Sequence, residues 1–256
     1  MGQQAGNRFE NKIVLITGGN SGMGFATAKR IVDEGGQVII TGRDTESLKR
    51  AQMELGSKAE AIRADVSSLK EIDQLFTQIK NKYGRIDGLF ANAGIAVFNQ
   101  VEDVTEEIFD QLFDVNVKGV YFTLQKAVPL MSAGGAVVLN ASVAASKGSA
   151  TGSVYGATKA AVRSLARSFS ASYALKGIRF NVVSPGPIET PIWGREGGGI
   201  PAEALSTVKQ AVADTTALKR YGTTDEIAPA VAFLLSAEST YIIGAELLVD
   251  GGYTQL

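Results

Sequence analysis

Short apolar, β-branched runs alternate with helix-period segments along almost the whole chain, and this alternation leaves few folds open. The first run is IVLIT (13–17), apolar at nearly every position, as a strand covered on both faces must be. A glycine-rich turn follows, then a helical pattern over 25–34 that ends at Gly35-Gly36. Further strands are read at 38–41, 59–63, 86–92, 136–142, 178–184 and 245–250. Helical patterns fall at 46–55, 69–83, 106–130, 153–175 and 225–235. The helix over 106–130 is read with Ile108, Leu112, Val115, Gly119 and Phe122 on its apolar stripe, and that over 153–175 with Ala157, Ala161, Leu165 and Phe169. Strand and helix in alternation require crossover connections. The expectation is therefore α/β: a doubly wound parallel sheet of seven strands with helices on both faces. No repeat or linker divides it, so 1–256 is read as one domain, with a lid over the substrate at about 187–221 that shows no strand pattern.

Composition removes whole classes of chemistry. The chain has no Cys, which excludes disulfides, thiolate nucleophiles and Cys-ligated zinc. It has no His, which excludes Ser-His-Asp hydrolysis and the commonest metal ligand, so no metal site is expected. Net charge is −1 with no long run of one sign, which argues against nucleic-acid or membrane-surface partners. The N-terminal MGQQAGNRFENK lacks an apolar core of signal-peptide length, and a cytoplasmic location is expected.

TGGNSGMG (17–24) lies between the first strand and the first helix, the context in which a glycine turn binds a dinucleotide in a Rossmann-type fold. Gly18 takes the tight turn, Gly22 admits a pyrophosphate close to the backbone, and Gly24 lets the helix pack on the sheet. Asn20, Ser21 and Met23 complete the loop, and the helix N-terminus offers free N–H groups and a positive dipole end. The spacing departs from G-x-G-x-x-G, and a helix start with convenient glycines is the plainer reading. At the end of the second strand, where a carboxylate would hold a ribose 2′-OH, the chain has Gly42 followed by Arg43. A neutral position beside a guanidinium suits a 2′-phosphate, so NADP(H) is preferred over NAD(H). Asp44 either caps the next helix or pairs with Arg43.

Without His or Cys, the best proton-transfer device is a phenol beside an ammonium. Tyr155 and Lys159 lie four residues apart in a helical segment and share a face. A free tyrosine titrates near pH ~10, and a neighbouring ammonium favours the phenolate. Ser142, ending the fifth strand, can hydrogen-bond the same substrate oxygen. Taken alone, Tyr-x-x-x-Lys is an ordinary amphipathic pair; with the hydroxyl and the glycine turn it points to carbonyl chemistry.

These features together resemble the short-chain dehydrogenase/reductases. TGGNSGMG matches the family's cofactor turn, Asp65-Val66 its adenine contact and Asn92-Ala93-Gly94 its fourth-strand motif. Asn116, Ser142, Tyr155 and Lys159 match the catalytic tetrad, and Pro185-Gly186 with Thr190 the nicotinamide-side loop; the likeness runs over about residues 8 to 253. The resemblance implies Tyr155 as acid/base, with Lys159 binding the nicotinamide ribose and lowering the phenol's pKa. It implies Asn116 as holder of a water that links Lys159 to solvent, Thr190 as the carboxamide's partner and Ile188 as a backbone contact beside it. It also implies a homotetramer built on the long helices and the last strand. Met23 stands where Ile is commoner, a minor departure.

The substrate is expected to be a small carbonyl compound or secondary alcohol. Candidate wall residues are Ala144, Lys147 and Trp193, with Val143 and Gly148, although Trp193 suits a core position equally well. Two rival readings stand beside this one. A 3-oxoacyl-carrier-protein reductase would need a basic patch near the site; the stretch 124–135 offers only Lys126, which weakens that reading, although Arg163 and Arg167 could contribute. A non-catalytic NADP(H)-sensing protein would keep the turn but have no use for Ser142, Tyr155 and Lys159 together.

Overall fold

The computed structural model describes residues 6–190 and 205–256. Its first half runs β1 (Ile13–Thr17), α1 (Gly22–Asp33), β2 (Gln37–Gly42), α2 (Thr45–Leu55), β3 (Ala59–Arg63) and α3 (Leu69–Tyr83). The second half runs β4 (Gly88–Ala91), α4 (Glu106–Phe113), α5 (Gly119–Ala127), β5 (Ala136–Asn140), α6 (Ser153–Tyr173), β6 (Arg179–Pro185), α7 (Leu205–Asp214), α8 (Thr224–Leu235) and β7 (Glu246–Val249). The seven strands form one parallel sheet in the order β3-β2-β1-β4-β5-β6-β7. Strand order reverses between β1 and β4, which opens a crevice beyond their carboxyl ends.

Each strand feeds both faces, because successive side chains point to opposite sides. In β1, Ile13 and Leu15 join the layer that includes Leu75, Ile79, Leu124 and Phe180, while Val14 and Ile16 join Ile31, Val231 and Leu234 on the other face. Leu15 and Ile16 are both 0% exposed, so truncating either to Ala would destabilise by about 2–5 kcal/mol. Helix starts are set by local chemistry. The Asp44 side chain accepts from the Ser47 N–H at the head of α2, and Ser68 does the same for Glu71 at the head of α3. Thr223 and Glu226 form a reciprocal capping box before α8.

Three expectations need correction. The helix over 106–130 is broken: between α4 and α5, residues Asp114–Lys118 form a π turn in which the Gly119 N–H reaches back five residues to the Asp114 carbonyl. The widened turn carries the buried Asn116 (1% exposed) inward, while a Cβ on Gly119 would lie 2.6 Å from the Val66 carbonyl oxygen, so α5 starts in direct backbone contact. The buried stripe of α6 is Thr158, Lys159, Val162, Ala166, Phe169 and Ser170, not one through the exposed Ala157. The helix turns three polar residues inward and leaves small apolar ones outside, which apolarity alone does not foretell. Finally, 205–214 is helical (α7), within the region read as showing no strand pattern and where no helix is expected.

Candidate active site

The crevice at the strand ends is a cavity of about 1130 Å³, at the upper end of ordinary ligand pockets. Gly18 (φ 64°) and Gly22 (φ 57°) occupy the left-handed region, and a Cβ on Gly24 would lie 2.3 Å from the Gly18 carbonyl oxygen. Those three positions thus require glycine on backbone grounds. The turn is held from behind. Asn92 Nδ2 donates to the Thr17 and Gly18 carbonyls at 3.0 and 3.1 Å, and Thr17 Oγ1 accepts from the Asn92 and Ala93 amides at 3.0 Å each. Asn140 Nδ2 in turn donates to Asn92 Oδ1 at 3.0 Å, so β1, β4 and β5 share one polar lattice. Thr17 opens the glycine motif but, like Asn140, gives no sequence sign of this role. Only their contacts with Asn92 reveal them.

The arrangement fits a nicotinamide dinucleotide. Gly18, Asn20, Ser21, Gly22, Met23, Asp65, Val66, Asn92, Ala93, Gly94, Pro185, Gly186, Ile188 and Thr190 all line the cavity. Two buried polar atoms among the lining residues, Thr41 Oγ1 and Asn140 Oδ1, have no hydrogen-bond partner within the protein. At the β2 end, a Cβ on Gly42 would meet Asn20 Oδ1 at 2.6 Å, so a side chain there would have to push the Asn20 side chain aside. Asp44 is committed to capping α2, which settles its two alternatives. The Arg43 side chain is 57% exposed and its nearest acid is Asp65, at 4.0 Å. Arg63, also on the rim, is paired with Glu71 at 2.9 Å.

On the other side of the crevice the relay residues Ser142, Tyr155 and Lys159 line the wall, with Asn116 buried behind them. Lys159 is 5% exposed, and its Nζ donates to the Asn140 carbonyl at 2.8 Å while lying 5.7 Å from the centre of the Tyr155 ring. Asn116 Oδ1 accepts from the Ile95 amide and its Nδ2 donates to the Ile95 carbonyl, each at 2.9 Å, and Nδ2 also reaches Thr158 Oγ1 at 3.1 Å. Thr158 Oγ1 donates to the Tyr155 carbonyl at 2.7 Å, tying that network to the start of α6. Gly94 lies between the two: a Cβ there would be 3.1 Å from Asn116 Oδ1 and 3.5 Å from Lys159 Nζ. Burial, the larger influence, pushes the Tyr155 phenol above its ordinary value, and its hydrogen bond with Ser142 pulls the other way. Burial pulls the Lys159 ammonium down to about 8. In the protein alone the phenol is therefore held protonated at neutral pH. Ser142 also accepts from the Ala144 amide at 3.1 Å, which fixes its side chain at the end of β5.

The remaining wall is mostly apolar. Val143, Ala144, Lys147 and Gly148 line it as expected, joined by Phe98, Val208, Val212 and Tyr253, which the sequence did not single out. The Phe98 ring stands 5.6 Å from that of Tyr155, tilted by 60°. Val208 and Val212 sit four apart on α7, a spacing that would have flagged them had a helix been read there. Trp193 lies outside the described residues. Among the described residues no group of acidic side chains could hold a metal ion, and no helix is long and apolar enough to cross a membrane.

Sheet order, parallel pairing and helices on both faces define a Rossmann-like α/β protein. A family model described as enoyl-(acyl carrier protein) reductase matches residues 18–254. An oxidoreductase, asL5, of Sarocladium schorii is 39% identical over 252 residues, covering 97% of this chain and 98% of that one. Levodione reductase of Leifsonia aquatica is 36% identical over 253 residues, covering 96% and 95%. A crystal structure of levodione reductase superposes with a TM-score of 0.90 at 34% identity, over 95% of this chain and 98% of the other. The chain belongs to the short-chain dehydrogenase/reductase family. It is an NAD(P)-dependent dehydrogenase/reductase that acts on CH–OH groups.

Proposed function

We infer that the protein transfers a hydride between NADP(H) and a small uncharged ketone or secondary alcohol, with Tyr155 as the acid/base. The observation that carries this reading is the convergence of Ser142, Tyr155 and Lys159 on one cavity with the glycine turn, with Asn116 buried behind them. Bound nicotinamide supplies or accepts the hydride. Ser142 Oγ orients the carbonyl oxygen, and Tyr155 Oη gives it a proton in reduction or takes one in oxidation. Turned from the Asn140 carbonyl toward the ribose, Lys159 would bring its charge nearer the phenol and lower the pKa that burial raises. Asn116 holds the Ile95 backbone and Thr158 in register and is placed to anchor a water behind Lys159. Thr190 and Ile188 are assigned to the carboxamide, Asp65 and Val66 to the adenine. Arg43, weakly engaged and mostly exposed, supports NADP(H), as does the lack of a carboxylate at Gly42.

The name levodione reductase points to a neutral ketone in a relative, and the apolar wall beside Phe98, Val208 and Val212 suits one here. Two of the basic groups a carrier protein would use are engaged: Lys126 pairs with Asp73, and Arg163 with Glu246 at 3.2 Å. The reading keeps a cytoplasmic location, a single domain and a homotetramer as proposals; the small outward residues of α6 would suit close packing of copies. Oxidation of NADPH and NADH over a panel of ketones, aldehydes and acyl thioesters tests it. Turnover of neutral ketones with higher kcat/KM for NADPH is expected. Cofactor binding with no oxidation of NADPH by any compound would favour the sensing protein instead.

A further inference from the structure

The C-terminal segment after β7 folds back over the substrate side of the crevice. Gly251 (φ 60°) and Gly252 (φ 81°) make the reversal possible. Asp250 secures it: its carboxylate accepts from the Gly252 amide at 3.0 Å, the Thr254 amide at 3.0 Å and the Thr254 hydroxyl. A Cβ on Gly186 would lie 2.6 Å from the Asp250 Cα, so this segment rests directly on the loop after β6. Tyr253 is thereby delivered to the cavity wall opposite the loop that follows Ser142. There Lys147 Nζ stands 3.7 Å from the centre of the Tyr253 ring and donates to the Tyr253 carbonyl at 3.2 Å. Among the charged, described residues lining the cavity, Arg43, Asp44, Arg63 and Asp65 lie at the β2–β3 end and Lys159 is in the relay. Lys147 is the charge left on the substrate side. Its partners there are a ring face and a carbonyl, neither of them anionic.

We propose that Lys147 and Tyr253 form a clasp that closes the substrate side of the crevice and selects neutral carbonyl compounds over anionic ones. The electron-rich ring face and the carbonyl oxygen surround the ammonium from the side a carboxylate would use. An anionic substrate must therefore displace them or approach against them, whereas a neutral ketone meets only the apolar wall. Tyr253 is then a specificity-determining residue, and the latent anion site beneath it is Lys147.

This rests on carbonyl reduction as proposed above, and methyl levulinate and levulinate, one ester and its acid, provide the comparison with NADPH as reductant. Wild type should favour the ester. Tyr253→Leu should raise the relative kcat/KM for the acid about fivefold, the scale of one partly exposed charge contact. Adding Lys147→Gln should abolish that gain, and Tyr253→Phe, which keeps the ring face and the carbonyl, should hold the wild-type ratio. An unchanged ratio in Tyr253→Leu, or a gain that survives Lys147→Gln, overturns the selectivity. The clasp itself is read without turnover: Lys147→Gln should speed amide hydrogen exchange across 251–256 several-fold, and unchanged exchange overturns it. A wild type that binds NADPH but reduces neither compound overturns the underlying reaction, and the selectivity with it, while the exchange result still stands on its own.

Discussion

Lys159 and Asn140 meet through the lysine ammonium and the asparagine backbone carbonyl, 2.8 Å apart and shut away from solvent. A carbonyl is a partial charge, so the ammonium is held where burial penalises it. The same Asn140 reaches Asn92 with its side chain and so holds the glycine turn. One residue of β5 therefore joins the two halves of the crevice.

The strained charge should be visible in stability. With the Lys159 pKa lowered from 10.5 to about 8, the unfolded chain binds more protons than the folded one between those values. Stability contributed by this group therefore rises as pH goes from about 8 to 10.5, by at most about 3 kcal/mol. Urea denaturation of wild type and Lys159→Met across that range should show the wild type gaining on the variant. Parallel profiles would remove the penalty from the account.

Cofactor choice should follow Arg43. A guanidinium that hydrogen-bonds a phosphate contributes about 1.5–3 kcal/mol, so Arg43→Ala should lower the NADPH-to-NADH ratio of kcat/KM by about tenfold or more. A ratio that does not move would return the preference to other groups on the rim.

The glycine turn should tolerate no side chain at position 24. Gly24→Ala sets a methyl 2.3 Å from backbone rather than from a flexible side chain, so the turn or α1 must shift. Calorimetry should show NADPH Kd weakened more than tenfold. Asn92→Ala, which leaves the Thr17 and Gly18 carbonyls without their donor, should weaken it too and destabilise the fold by about 2 kcal/mol. Wild-type binding by Gly24→Ala would place the dinucleotide elsewhere.

Much of the architecture was legible because its signals are local and redundant. β1, β3, α3 and the count of seven parallel strands follow from apolar runs, glycine stops and alternation. Residues that take their meaning from contacts were not legible. Asn116 was reached only through the family resemblance, because a π turn leaves no periodic trace, and the buried face of α6 was misplaced because Thr158 and Lys159 are polar. Phe98, Val208 and Val212, and Tyr253 come from three separate segments that only the fold brings to one wall. Asn140 lay unremarked two residues from Ser142, its role residing in a backbone carbonyl and a contact to another strand.

The central claim is that Tyr155 moves the proton. The direct measurement is single-turnover reduction of a neutral ketone by the Tyr155→Phe variant, alongside calorimetric NADPH binding. Removing the phenol hydroxyl should lower the chemical rate by about 10²–10⁴-fold, the range for a lost general acid, and leave NADPH Kd within a few-fold of wild type. A variant that binds NADPH normally and reduces the ketone at the wild-type rate would contradict the account.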